Sequence, residues 1–107
     1  MRKIRYAAAH TSDLLPDTGK TIRLGESEEC TLFAHLGKWF AVGSLCPHQN
    51  APLDGALAED GCVTCRRHGY RFDLNTGDCT TLGGYGIPVY EVSVEEDIVY
   101  VSLWDFE

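Results

Sequence analysis

Two short segments of the chain carry residue types that bind soft metals. Cys46-Pro47-His48 and Cys65-Arg66-Arg67-His68 each offer one thiol and one imidazole, with sixteen residues, 49 to 64, between them. With five cysteines and four histidines in 107 residues, both pairings together have a chance expectation of about 0.04. Thiolate and imidazole suit zinc and iron centres alike. Zinc could take Cys46, His48, Cys65 and His68 as a tetrahedral set, and Cys62-x-x-Cys65 has the spacing of a zinc half-site. A one-residue gap between Cys and His is, however, unusual for zinc fingers. A Cys62–Cys65 redox dithiol is disfavoured if Val63-Thr64 is extended. Residues three apart in a strand point to opposite faces about 10 Å apart, too far for a disulfide. Cys30 and Cys62 are expected as small buried hydrophobes, with Cys79 either buried or exposed. His10 and His35 fit no ligand spacing and are expected on a polar strand face or a surface loop.

The elements that must position these residues read as β-structure. Eleven glycines and four prolines punctuate short runs throughout, the pattern of an all-β domain. Ile4 to Ala8 predicts a first strand, Thr11 to Pro16 at most one helical turn, and Thr21 to Leu24 a weak strand. A hairpin is expected over Cys30 to Leu45. There Leu32, Ala34 and Leu36 alternate with Thr31, Phe33 and His35, Gly37-Lys38 turns the chain, and Trp39 to Val42 returns. A second hairpin sets Tyr90, Val92 and Val94 on one face, turns at Glu96-Asp97, and returns through Val99, Val101 and Leu103. Trp39 and Trp104 are expected to pack against the core. The middle, from Cys46 to about Cys79, is irregular and holds four of the five cysteines. A segment of that kind needs something other than apolar packing to fix its shape, and a bound metal centre would supply it.

Composition removes several function classes. Sixteen acidic against nine basic residues give a formal charge of −7, the wrong sign for neutralising phosphates, so no nucleic-acid partner is expected. No apolar run approaches the ~20 residues that span a bilayer, and Met1 to Ala9 lacks a signal peptide's long apolar stretch. A cytoplasmic monomer with reduced thiols is expected. No G-x-G-x-x-G follows a strand, so no nicotinamide or flavin site is expected.

The sequence resembles the Rieske-type [2Fe-2S] ferredoxins. The resemblance lies in C-x-H, sixteen residues, C-x-x-H, then His68-Gly69, Phe72-Asp73 and Thr76-Gly77, with Ala51-Pro52-Leu53 after the first loop. It implies one [2Fe-2S] cluster per chain, with Cys46 and Cys65 on the inner iron and His48 and His68 on the outer one. It also implies an all-β Rieske-type fold of antiparallel sheets: a single domain over 1–107, with a base subdomain of about 1–44 and 80–107. The small loop-rich cluster-binding subdomain would cover about 45–79. In the family a third loop covers the cluster, and Gly83-Gly84-Tyr85-Gly86-Ile87-Pro88 is its counterpart here.

Two ferric irons, two sulfides and two thiolates sum to zero charge, against −2 with four thiolates. Reduction therefore meets less repulsion, and the potential rises. Bound imidazole also titrates, so the potential should fall at alkaline pH. High-potential relatives carry a cysteine in each loop where this chain has Ala51 and Arg67. They also carry a serine and a tyrosine where it has Tyr70 and Phe72. Fewer hydrogen bonds to the cluster sulfurs imply the low end of the range, near roughly −150 mV.

The resemblance further implies a one-electron carrier, not an enzyme, passing electrons from an NAD(P)H-dependent flavin reductase to a terminal oxygenase of the aromatic-ring hydroxylating type. A second implied role is the small subunit of an NAD(P)H nitrite reductase, bound to its large subunit. A zinc-stabilised interaction module is the alternative outside redox chemistry. Arg66 and Arg67 read either as a docking feature or as an exposed loop tip.

Overall fold

The computed structural model describes residues 2–25, 28–47, 50–67, 69–81 and 83–105; His48, His68 and the side chain of Trp104 lie outside the described residues. Alternating sequence and two-residue turns dominate what is built. The strands are β1 (Arg2–His10), β2 (Lys20–Leu24), β3 (Glu28–His35), β4 (Lys38–Gly43), β5 (Leu45–Cys46), β6 (Ala51–Pro52), β7 (Ala58–Glu59), β8 (Cys62–Thr64), β9 (Arg71–Asp73), β10 (Val89–Glu95) and β11 (Ile98–Asp105), with one 3₁₀ turn at Thr11–Asp13. His10 is exposed and caps that turn, its Nδ1 accepting from the Ser12 amide at 3.1 Å while Asp13 Oδ2 accepts from the His10 amide at 3.0 Å.

Six strands form one antiparallel sheet in the order β1-β11-β10-β4-β3-β2, beside a two-stranded β5-β6 sheet and a three-stranded β7-β8-β9 sheet. The final hairpin turns at Glu96 and Asp97, both at positive φ (49° and 67°), as a two-residue turn matched to strand twist requires. The earlier hairpin turns one residue sooner than expected. His35 pairs with Lys38, so the turn residues are Leu36 and Gly37, at φ 53° and 73°. The same turn geometry needs positive φ at both central positions, and Gly37 supplies the second of them.

Strand β3 is covered on both faces, which defeats a reading based on alternation. Cys30 and Leu32 join one buried cluster with Leu14, Leu24, Ala41, Val99 and Val101, while Phe33 joins a second with Val42, Leu53, Val63, Phe72 and Leu74. Leu36, expected on the apolar face, is instead 71% exposed in the turn. Trp39 is half-buried against the first cluster.

His35 is a further correction: at 5% exposure it is buried rather than on a surface. Both ring nitrogens are satisfied there. Nε2 accepts from the Gly61 amide at 2.9 Å, leaving Nδ1–H to donate to Asp17 Oδ1 at 2.7 Å. Asp17 belongs to a strap, residues 14–19, that hydrogen-bonds to β3 on one side and to residues 55–58 on the other. Its bonds include Asp17 N to Ala34 O at 2.8 Å and Gly19 N to Ala56 O at 2.8 Å. The strap ties the large sheet to the irregular middle of the chain.

Cys30 is fully buried, as expected, and burial pushes its thiol from 9.0 up to about 12. Cys62 is only half-buried, against expectation, because β8 pairs it with Asp73 near the surface; Cys79 is also half-buried. Since the folded Cys30 value exceeds the unfolded one, its stabilising contribution is complete below about pH 9 and is lost as the pH rises towards 12. At pH 8, iodoacetamide should therefore leave Cys30 unmodified in the folded protein and alkylate it in urea. Modification of folded protein, read by peptide mass, would contradict the burial.

Candidate functional site

Cys46 closes β5 and Cys65 follows β8, and each begins a tight loop. The two loops are built alike. Cys46 pairs in the ladder with Ala51, five residues on; the Cys65 amide donates to the Tyr70 carbonyl, also five residues on, at 2.7 Å. Each loop has a residue with left-handed backbone four positions after its cysteine: Asn50 at φ 53° and Gly69 at φ 73°. Asparagine and glycine are the residues that tolerate this conformation best. Gly69 N donates to Cys65 O at 2.9 Å, which folds the second loop back on itself.

The repeated geometry is legible only in retrospect: the shared spacing Cys-x₃-Asn/Gly is visible in the sequence. His48 and His68 fall inside these loops by sequence position and lie outside the described residues. The structure thus brings together the two expected thiols on matched loops. Cys46 is 0% and Cys65 1% exposed, both within the second apolar cluster with Phe33, Val42, Leu53 and Ile87, and neither is in a disulfide. A pair of thiols held in an apolar wall, at equivalent positions of two loops, suits a binuclear centre gripped from both sides. Soft thiolate donors suit iron–sulfur chemistry.

The remaining motif residues build the support behind the second loop. Phe72 is fully buried. The Asp73 carboxylate accepts from the amides of Asn75 at 2.7 Å and Thr76 at 3.3 Å, and its carbonyl accepts from Gly77 N at 2.7 Å. Gly77, at φ 83°, then accepts from Ile87 N at 2.8 Å. Phe-Asp and Thr-Gly are therefore turn chemistry that anchors the segment after Cys79. That segment returns beside the second loop: Cys79 N donates to Tyr85 O at 3.1 Å, and the Tyr85 ring stacks on Tyr70 with centroids 6.4 Å apart. Residues Gly83–Pro88 thus flank the second loop.

Arg66 and Arg67 are both exposed, but they differ. Arg66 reaches back so that Nη1 donates to the Asp54 carbonyl at 3.5 Å, linking the second loop to the turn after the first. Arg71, missed in the sequence, sits at the root of the second loop and donates from Nη2 to the Glu59 carbonyl at 3.1 Å. Among the described residues no group of three or more His, Cys, Asp and Glu gathers as a metal site, which leaves the two thiols as the described part of the expected set. Among the described residues no helix is long and apolar enough to cross a membrane.

Comparison with known proteins agrees with this geometry. The Rieske [2Fe-2S] domain model matches residues 4–91. The 3-phenylpropionate/cinnamic acid dioxygenase ferredoxin subunit of Shigella boydii is 31% identical over 87 residues, 79% of this chain and 82% of that protein. Human apoptosis-inducing factor 3 is 31% identical over 99 residues, 92% of this chain but 16% of the relative, so the chain spans a small part of that protein's length. Among solved structures, a chain described as the small subunit of an NADH-dependent nitrite reductase from Mycobacterium tuberculosis superimposes with a TM-score of 0.88. It is 22% identical, and the match covers 99% of this chain and 100% of that one. At that identity the likeness bears on fold. The match over most of the sequence, set on two equivalent cysteine loops, places the chain in the Rieske [2Fe-2S] family, whose domain carries one [2Fe-2S] cluster.

Proposed function

We propose that the chain is a one-electron shuttle, not an enzyme in itself, which accepts electrons from an NAD(P)H-dependent flavin reductase and delivers them to a terminal oxygenase. The observation that carries this reading is the matched pair of loops that set Cys46 and Cys65 in one apolar wall. In this reading Cys46, His48, Cys65 and His68 hold the cluster, within a cluster-binding subdomain of about 45–79 resting on a base of about 1–44 and 80–107. A bound [2Fe-2S] cluster supplies reversible uptake of one electron.

The residues of the chain do the rest. The apolar wall of Phe33, Leu53 and Phe72 keeps water from the thiolate side, and the strap through Asp17 holds the loops to the large sheet. In this reading His48 and His68 would hold the outer iron, the side from which an electron would leave. The charge of −7 draws the shuttle to a basic partner surface, and such contacts are small and brief. A cytoplasmic location fits that role.

The test is stopped-flow reduction of the holoprotein by an NADH-dependent flavin reductase of a Rieske dioxygenase system. The second-order rate should fall at least about tenfold between ~0.02 M and ~0.5 M salt. A rate indifferent to salt would contradict electrostatic docking. A second reading is a fixed subunit of a nitrite reductase, the description carried by the M. tuberculosis chain whose fold this one shares. Stable co-elution with a large sirohaem flavoprotein would select it over the shuttle.

A further inference from the structure

An open cleft of ≈ 490 Å³ lies on the outer side of the first cysteine loop, between the ends of β2, β3 and β4 and the start of β10. Its position follows from strand geometry. Leu45 and Cys46 are adjacent in β5 and so face opposite ways: Cys46 is buried, whereas Leu45 is 45% exposed and lines the cleft. Pro88 lines it as well, held against Gly43, whose amide donates to the Pro88 carbonyl at 2.9 Å. The cleft thus has an apolar floor one residue from a cysteine of the cluster loops.

Its polar side carries net negative charge. Arg23 and Glu29, ladder partners across β2 and β3, line it with one positive and one negative charge. Glu28 is the surplus, and among the described residues it is in no ion pair. Tyr90 completes the lining; burial first, then the nearby Glu28 and Cys30, push its phenol upward, so the hydroxyl stays protonated and able to hydrogen-bond.

A carboxylate and a phenol above an apolar floor complement a long cationic side chain, whose methylenes cover Leu45 and Pro88 while its head meets Glu28. We propose that this cleft receives an arginine or lysine side chain from the surface of the redox partner, fixing how that partner sits over the Cys46 loop. The inference rests on the reading of the chain as an electron carrier that docks at its cluster-loop end.

The experiment uses holoprotein and the peptide acetyl-Gly-Arg-Gly-amide, with its uncharged citrulline counterpart as control, followed by NMR titration. The arginine peptide should shift the resonances of Tyr90 and Leu45, and the citrulline peptide should bind far more weakly. Glu28→Lys should weaken arginine-peptide binding about tenfold, as an attraction becomes a repulsion. Glu96→Lys makes the same change in net charge at the remote β10–β11 turn and should leave binding within about twofold. Equal weakening by both substitutions, or shifts elsewhere on the surface, would overturn the cleft assignment.

Hexaamminecobalt(III) separates this from the underlying reading. It takes one electron from the reduced protein and becomes cobalt(II), with the cluster oxidised in return. If the cobalt reaction proceeds while the peptide ignores Glu28, the docking site is wrong and the carrier stands. Protein without iron, which reduces no cobalt, would remove the carrier reading itself.

Discussion

Replacing His48 with cysteine should lower the midpoint potential by about 100 mV or more, towards the roughly −400 mV of plant-type ferredoxins. A neutral imidazole gives way to a thiolate, so the oxidised centre goes from zero to −1 and the reduced centre from −1 to −2. The added electron then meets a like charge at a few ångströms. The substitution also removes one titrating imidazole, so the alkaline fall in potential becomes shallower. Protein-film voltammetry from pH 6 to about 10 reads both effects at once. An unchanged potential and slope would mean that His48 is not a ligand.

The second large effect is expected from Gly77→Ala. Gly77 has φ 83°, and a Cβ there would overlap the Ile87 carbonyl oxygen and lie 3.0 Å from Val89 Cγ2. Backbone cannot yield without breaking the Ile87 N to Gly77 O hydrogen bond that brings residues 83–88 back to the second loop. Strain at positive φ costs about 1 kcal/mol, and the displaced contact adds a few more. For a chain of this size that lowers Tm by roughly 10–20 °C.

Gly84→Ala provides the contrast. Gly84 has φ 90°, but nothing lies within 4 Å of its added Cβ, so only the backbone strain remains and the fall should be about 5 °C. Calorimetry of the two holoproteins decides the matter. Equal losses would show that the approach of Gly77 to Ile87 is not what holds this segment.

These two substitutions mark where the sequence was readable and where it was not. The C-x-H and C-x-x-H spacing pointed to the two matched loops that Cys46 and Cys65 open, because residue type and spacing are local properties. The final hairpin was readable for the same reason: Tyr90 to Leu103 alternates around a two-residue turn. Strand β3 was less so, since burial on both faces by two separate clusters erases alternation, and Leu36, which continues the alternation in sequence, sits exposed in a turn.

His35 was misplaced because its partners, Asp17 and Gly61, are distant in sequence and meet only through the strap and the β7–β8 turn. The strands β5 to β9 are two or three residues long, too short for any period to register. The equivalence of Asn50 with Gly69 was likewise hidden, because it depends on backbone angle and the two residues differ in type.

Two nitrogen ligands and two sulfur ligands around one iron pair are the foundation of this account. Pulsed electron paramagnetic resonance of the reduced protein, beside its His48→Cys variant, tests that most directly. The account predicts couplings from two imidazole nitrogens in the parent and from one in the variant. A reduced protein with no directly bound nitrogen, or with a single one that survives the substitution unchanged, would contradict it.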